Sequence, residues 1–569
     1  MVSWIERHAR RHILLCAWLG GAACSGQIAE PGAGSAGGPG PGNGSGQVIP
    51  PAGGGNTIGW YESLTAADCA RAPAAYPSSR VWRLSATQWK NTVAAALGVA
   101  APDVSAFPAD PIDPVSGFSN DAADNKVTFA LASAYLDAGD GVATQAAAKA
   151  IAGSACLGIA PVAAACAQAF VADYGKRLYR RALTDAEVAS YANYLASESA
   201  LDPAATAVAS VLKAMMMSPN FVFRTELGSS KPGVVDLTQA EIAQMLSYTI
   251  ADGPPDAELT AAVEKGQLGD PATRQAQAVR LGALPAAKDK LATFWREYLA
   301  LGDAPAAGGI DASMYAEAQS FFAKVAWQQQ GTFKDLMTAP YTYGDATVAA
   351  IYGSAAPAAD GRLTLDPQQR AGFLTSASLL SQTAAASQAA TVIHRGLMVR
   401  QRALCETPPP PPPDVQRDPA QVSPGGADAT ARENYDLFRM AKPACDACHG
   451  TFQPLGLAFE VYDATGKFRT NYPSGKPIVT TTTLTGAGDA SGDYASAVDL
   501  VKAIGGSRIG QYCFTQQFAQ FAFGRAISLD DEACTIRGMG DDVSANGGQL
   551  TRLLSSIAAA PTAFRRFHQ

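Results

Sequence analysis

The sequence predicts a mainly α-helical, multi-domain protein, and three observations carry that prediction. Apolar residues recur at three- and four-residue spacing through most of the chain, as in Trp89, Val93 and Leu97. Three Ser/Thr-x-x-Glu/Gln boxes, Ser85 with Gln88, Thr184 with Glu187 and Thr238 with Glu241, each stand just ahead of such a stripe and mark helix starts. At 569 residues the chain is also too long for a single core, so two to four folded domains are expected.

The N-terminus reads as an address. Arg7, Arg10 and Arg11, with His8 and His12, make a basic start, and Ile13 to Leu19 a short apolar stretch. Gly21-Ala22-Ala23-Cys24 then resembles a lipobox, with Cys24 the residue to be acylated. Gly21 stands where that box usually carries Leu, so ordinary signal cleavage is the alternative. Ser25 after the Cys, in place of Asp, favours the outer membrane over retention at the inner one. Residues 1–24 are thus a lipoprotein signal peptide, and the expected location is the cell envelope, outer-membrane or periplasmic. Past the leader no apolar run of 18 residues occurs, so the membrane is met through the lipid anchor only. A net charge of -7 argues against a nucleic-acid partner.

Residues 25–58 are mostly Gly, Pro, Ser, Ala and Asn, a composition that buries nothing and reads as a flexible tether. Residues 59–126 form an N-terminal capping domain. Its loop from Phe107 to Asp121 is rich in Pro and Asp, and Asp110, Asp113, Asp121 and Asp124 read as loop acids, since their spacing is not that of a calcium loop. Residues 127–230 form a helical domain with the stripes Val188, Tyr191, Leu195 and Val208, Leu212, Met215, Met216. The basic cluster Lys176, Arg177, Arg180 and Arg181 reads as a solvated helix face. Residues 231–369 form a second helical domain, with helices near Ala286 to Leu301 and Ala316 to Gln329. No nucleotide loop, zinc-protease box or nucleophile elbow occurs in it. In residues 370–480, Pro408 to Pro413 form a stiff spacer. A short hairpin is expected within 471–490. Residues 481–569 return to helix, with Phe514, Phe518, Phe521 and Phe523 on one face.

The most specific motif is Cys445-Asp446-Ala447-Cys448-His449. Two thiols three positions apart project to one side of a helical turn, where both can bond to the vinyl groups of one porphyrin. The adjacent imidazole can then ligate the iron. The motif thus implies one covalent haem c and a cytochrome c-like domain in the C-terminal third. Cys445 and Cys448 would hold the porphyrin and His449 the metal, with Phe452 and Phe459 keeping water away. A redox-active thiol pair, half of a zinc site and a plain disulfide are the competing readings. A second axial ligand would come from Met539, flanked by Gly538 and Gly540, or from His394, Met398 or His568.

Setting aside Cys16, Cys24 and the haem pair leaves six cysteines, an even number in an oxidising compartment. Cys156 with Cys166 and Cys513 with Cys534 are the local candidates for disulfides. Cys69 with Cys405 is what remains.

Six blocks occur together in order: Arg83-Leu84 to Thr92, Phe170-Val171 to Thr184, Met217-Ser218-Pro219 to Gly228, His394-Arg395-Gly396 to Pro413, Cys445 to Arg469, and Phe521 to Arg525. In this order they resemble the multi-block cytochrome-like proteins of planctomycetes and myxobacteria, over most of residues 80 to 569. The resemblance implies a helical, exported protein with one c-type haem on Cys445, Cys448 and His449, and it implies no particular reaction. Three functions fit these residues: an electron carrier with a redox partner protein, a haem-dependent oxidoreductase with an open iron site acting on an extracellular substrate, and a non-haem surface scaffold.

Overall fold

The computed structural model describes residues 64–71, 76–301, 312–384, 388–406, 424–425 and 429–568. The leader with Cys24, the 25–58 tether and the Pro408 to Pro413 run lie outside the described residues. The architecture is mainly α, with four two-stranded antiparallel ladders among the described residues. Each of the three boxes read from the sequence caps a helix reciprocally: α1 (Ala86–Leu97), α4 (Asp185–Ser199) and α6 (Gln239–Ala251). Gly98 ends α1 in the left-handed region at φ 64°, which a residue without Cβ adopts freely.

A first core forms where α1, α2 (Phe129–Gly153), α3 (Ala164–Tyr179), α4 and α5 (Ala204–Met216) meet. The methionines of α5 serve packing, since Met215 and Met216 are fully buried in it. The basic cluster on α3 divides. Lys176 pairs at the surface with Glu264 at 2.8 Å. Arg180 instead turns inward from the helix end, where it adopts φ 57°. It is 8 % exposed and donates to the Phe221, Asn220 and Phe223 carbonyls and to Gln244 Oε1. Its backbone turn points the guanidinium at unsatisfied carbonyls, which overrides its charge.

A larger core draws on α6, α7 (Pro285–Tyr298), α8 (Ala312–Ala323) and the C-terminal helices, of which α12 (Ala497–Gly506) is the first. Phe294 of α7 meets Phe118, Phe514, Phe518 and Phe521, with ring centroids 5.3 to 5.9 Å apart. Phe118 comes from the Pro/Asp loop, whose acids are used locally. Asp110 pairs with Arg83, and Asp113 and Asp121 accept backbone N–H groups of Ser116 and Ala123.

Two of the ladders join segments far apart in sequence. β1 (Arg80–Arg83) pairs with β2 (Phe223–Glu226), β3 (Gly233–Asp236) with β8 (Arg565–His568), and β4 (Tyr341–Tyr343) with β5 (Arg362–Thr364). Within the expected stretch 471–490 an antiparallel bridge joins Asn471 to Pro477, and a second hairpin pairs β6 (Thr482–Leu484) with β7 (Gly492–Tyr494), just past its end. Gly486 and Gly488, both at positive φ, permit the turn between them.

Three disulfides are present among the described residues. Cys156 bonds Cys166. Cys513 and Cys534 do not bond each other: Cys513 takes Cys405 and Cys534 takes Cys69. They stand on two different helices, α13 (Arg508–Phe523) and α14 (Leu529–Ala545), and each meets a segment from elsewhere in the chain. Sequence proximity therefore identified one of the two local pairs and missed the other. Among the described residues no helix is long and apolar enough to cross a membrane.

Candidate functional site

Cys445, Cys448 and His449 lie on one helix, α11 (Pro443–Ala458). Pro443 opens it, where a missing N–H costs nothing. Two neighbours hold it. α9 (Gln388–Met398) packs along it, and Gly396 and Gly456 stand at the crossing. A Cβ on Gly396 would overlap the Phe452 carbonyl oxygen, and one on Gly456 that of Val392, so only glycines permit this approach. α10 (Ala431–Ala441), capped by Thr430 and Glu433, lies on the other side. It contributes Tyr435 and Phe438 to a small core with Val392, Leu457 and Tyr472, against which Cys445 packs.

Two fully buried arginines fix the helix further. Arg395 donates to the carbonyls of Phe459, Tyr462 and Asp463, just beyond the end of α11. Burial lowers its guanidinium to about 10. Arg400 donates from Nε to the Thr451 carbonyl at 2.8 Å and from its terminal nitrogen to Glu406 and the Thr485 carbonyl. The hydroxyl of Thr482, in β6, donates to the Pro454 carbonyl at 2.8 Å.

Within that frame the His449 ring lies 4.9 Å from Phe438 and 5.1 Å from Phe452, centroid to centroid. Its Nδ1 is 3.0 Å from Oε1 of Gln453, a side chain only 2 % exposed. Cys445 and Cys448 are half-buried, and among the described cysteines these two alone are unpaired. Tyr435 donates to Asp446 at 2.9 Å, and burial together with that carboxylate pushes its phenol well above the usual range. Beside the helix an open cleft of about 700 Å³ runs between α10 and the β6–β7 hairpin. Arg432, Arg439, Asp446, Gly450 and Thr483 are among its lining residues.

Other expected site residues stand elsewhere. Met539 is 1 % exposed inside α14, which packs on α13 and the helix Arg552–Ser556, whereas α11 packs on α9, α10 and β6. Its neighbouring glycine explains the burial: Gly540 lies against the Tyr512 ring, where a Cβ would clash. Met539 is therefore a core side chain. His394 is exposed on α9, two positions from the glycine that faces α11 and so on another side of the helix. Met398 is 5 % exposed in the large core, and His568 lies in β8 with Nδ1 3.4 Å from Ser79 Oγ. Phe459 is fully buried in the large core, so Phe438 joins Phe452 at the imidazole in its place. Gln453 was not legible beforehand. Its one signal is the four-residue step from His449, which puts both on one helix face.

Among the described residues no group of three or more His, Cys, Asp or Glu is placed to hold a bare metal ion, so a zinc site gains no support. The residues present do suit a haem. Two unpaired thiols stand one turn apart, beside an imidazole whose Nδ1 is occupied and whose Nε2 has no partner among the described residues.

Four family models match the chain in order: PSD3 (protein of unknown function, DUF1587) over residues 82–148, PSD5 (DUF1595) over 166–226, PSD4 (DUF1592) over 237–354, and PSCyt3 (DUF1588) over 370–472. The last match spans Cys445 to His449. No curated protein and no solved structure matches the chain.

Proposed function

We propose that this chain, assembled from the PSD and PSCyt set of cytochrome-like domains, is an exported lipoprotein that carries one covalent haem c and acts in electron transfer. The observation that supports this reading is the pair of unpaired thiols. Six described cysteines are joined in disulfides, yet Cys445 and Cys448, one helical turn apart, stay unbonded beside a positioned imidazole. Cys445 and Cys448 would hold the porphyrin through thioethers, and His449 would offer Nε2 to the iron. A haem bound there supplies a one-electron centre. Phe438 and Phe452 keep the imidazole from swinging, and the glycine crossing with the two arginines keeps α11 from shifting. The disulfides support an oxidising compartment, in accord with acylation at Cys24 and a cell-envelope location.

Full-length protein made in a host with c-type maturation tests this. On a denaturing gel the wild type stains for haem at its own mass, and Cys448→Ala loses the stain. A wild type without covalent haem rejects the reading and favours a scaffold. Membrane fractionation of Cys24→Ala tests the anchor, which predicts release or failed processing.

A second reading, an oxidoreductase with an open iron site, is favoured by one observation: Met539 and Met398 are core side chains, His394 is exposed and His568 lies against Ser79. The open cleft beside α11 would admit a substrate or a partner's edge. Rapid binding of carbon monoxide to the reduced protein supports this alternative, and refusal of it supports the carrier.

A further inference from the structure

We infer that Gln453 is a positioning residue that fixes the tautomer of His449 and sets how strongly its imidazole donates to iron. The inference deepens the haem reading above and rests on it. Gln453 Oε1 lies 3.0 Å from Nδ1. An amide oxygen only accepts, so Nδ1 carries the proton and Nε2 keeps its lone pair. At 2 % exposure, Gln453 is shielded from water that would otherwise compete for that proton. Its place on α11 is pinned on both sides, by Arg400 at the Thr451 carbonyl and by Thr482 at the Pro454 carbonyl. The rings of Phe438 and Phe452 restrict the imidazole itself.

The strength of the acceptor then matters. A better acceptor at Nδ1–H makes the ring more basic and favours ferric iron, and a missing one does the reverse. A neutral amide lies between a carboxylate and an alkyl group. Gln453 thus keeps the imidazole oriented without giving it full anionic character.

The experiment compares wild type, Q453E and Q453L as haem-loaded, full-length protein. It reads the midpoint potential by spectroelectrochemical titration and the exchange of the Nδ1–H proton by NMR. Q453E is expected to lower the potential. Q453L is expected to raise it and to speed exchange of Nδ1–H. Variants that take up haem but keep the wild-type potential and exchange rate overturn the inference while leaving the haem reading intact. A wild type that binds no haem overturns both. If the buried charge of Q453E prevents folding, seen as lost helical circular dichroism, the comparison of wild type with Q453L decides by the same criteria.

Discussion

Glu317 of α8 is a fully buried carboxyl. Its Oε1 accepts from the hydroxyls of Thr342, at 3.0 Å, and Tyr352. It lines a cavity of about 10 Å³, room for about one water. Burial pushes its carboxyl up to about 7, against the lowering effect of the two hydroxyls and of Arg370. The folded state therefore binds the proton more tightly than the unfolded chain. The stabilisation is full below the ordinary value of 4.5 and is lost as pH rises through about 7. The difference amounts to at most about 3 kcal/mol. Glu317→Gln is expected to flatten this loss, so urea unfolding at pH 5 and pH 8 should differ less in the variant than in wild type. Equal pH dependence in both would reject the account. At this scale the sequence was partly legible. Cys445, Cys448 and His449 announce themselves through chemistry that few residue types perform. Glu317, Arg400 and Gln453 do not, because their roles come from burial and from carbonyls contributed by distant segments.

Helices were the most legible elements, because their signals are local. A capping box and a stripe lie within a dozen residues, so Thr184 with Glu187 and Thr238 with Glu241 mark their helices correctly. How two helices cross is a different matter, since Gly396 and Gly456 acquire meaning only when α9 and α11 meet. Replacing Gly456 by Ala would force the helices apart and cost at least about 1–3 kcal/mol. Chemical denaturation should show that loss, and the haem stain of Gly456→Ala should weaken with it. An Ala variant as stable as wild type would mean that the crossing is looser than the structure shows. The hairpin expected within 471–490 was legible in its threonines and glycines, but its end was not, because several turns fit that stretch and β7 runs on to Tyr494.

Across the whole molecule, Glu226 joins segments from both ends of the chain. It lies in β2, pairs with Arg80 of β1 at 2.7 Å and with Arg566 of β8, and has Arg224 at 3.9 Å. Burial works upward on its carboxyl, but Arg80, Arg566 and Arg224 outweigh it and hold it well below the usual range. Arg224 is itself 1 % exposed and stacks 3.6 Å from the Trp82 ring centre. Glu226→Ala would leave two buried cations, Arg224 and Arg566, and the half-buried Arg80 uncompensated, and a loss of about 3–5 kcal/mol in denaturant unfolding is expected. A loss below about 1 kcal/mol would show that water already solvates the cluster. None of this closure was legible, since no local pattern connects Arg80 to Arg566.

The disulfides add a consequence for biosynthesis. A chain is made from its N-terminus, so Cys69 and Cys405 both appear before Cys445 and Cys448, and their partners Cys534 and Cys513 appear after. Cys156 and Cys166 are ten residues apart and can close at once. For the two long-range crosslinks, translation order makes the signature thiols available as wrong partners before the right ones exist. Early capture of Cys445 and Cys448 by a prosthetic group would therefore do more than install a cofactor: it would remove the competitors and let the two ends of the chain find each other.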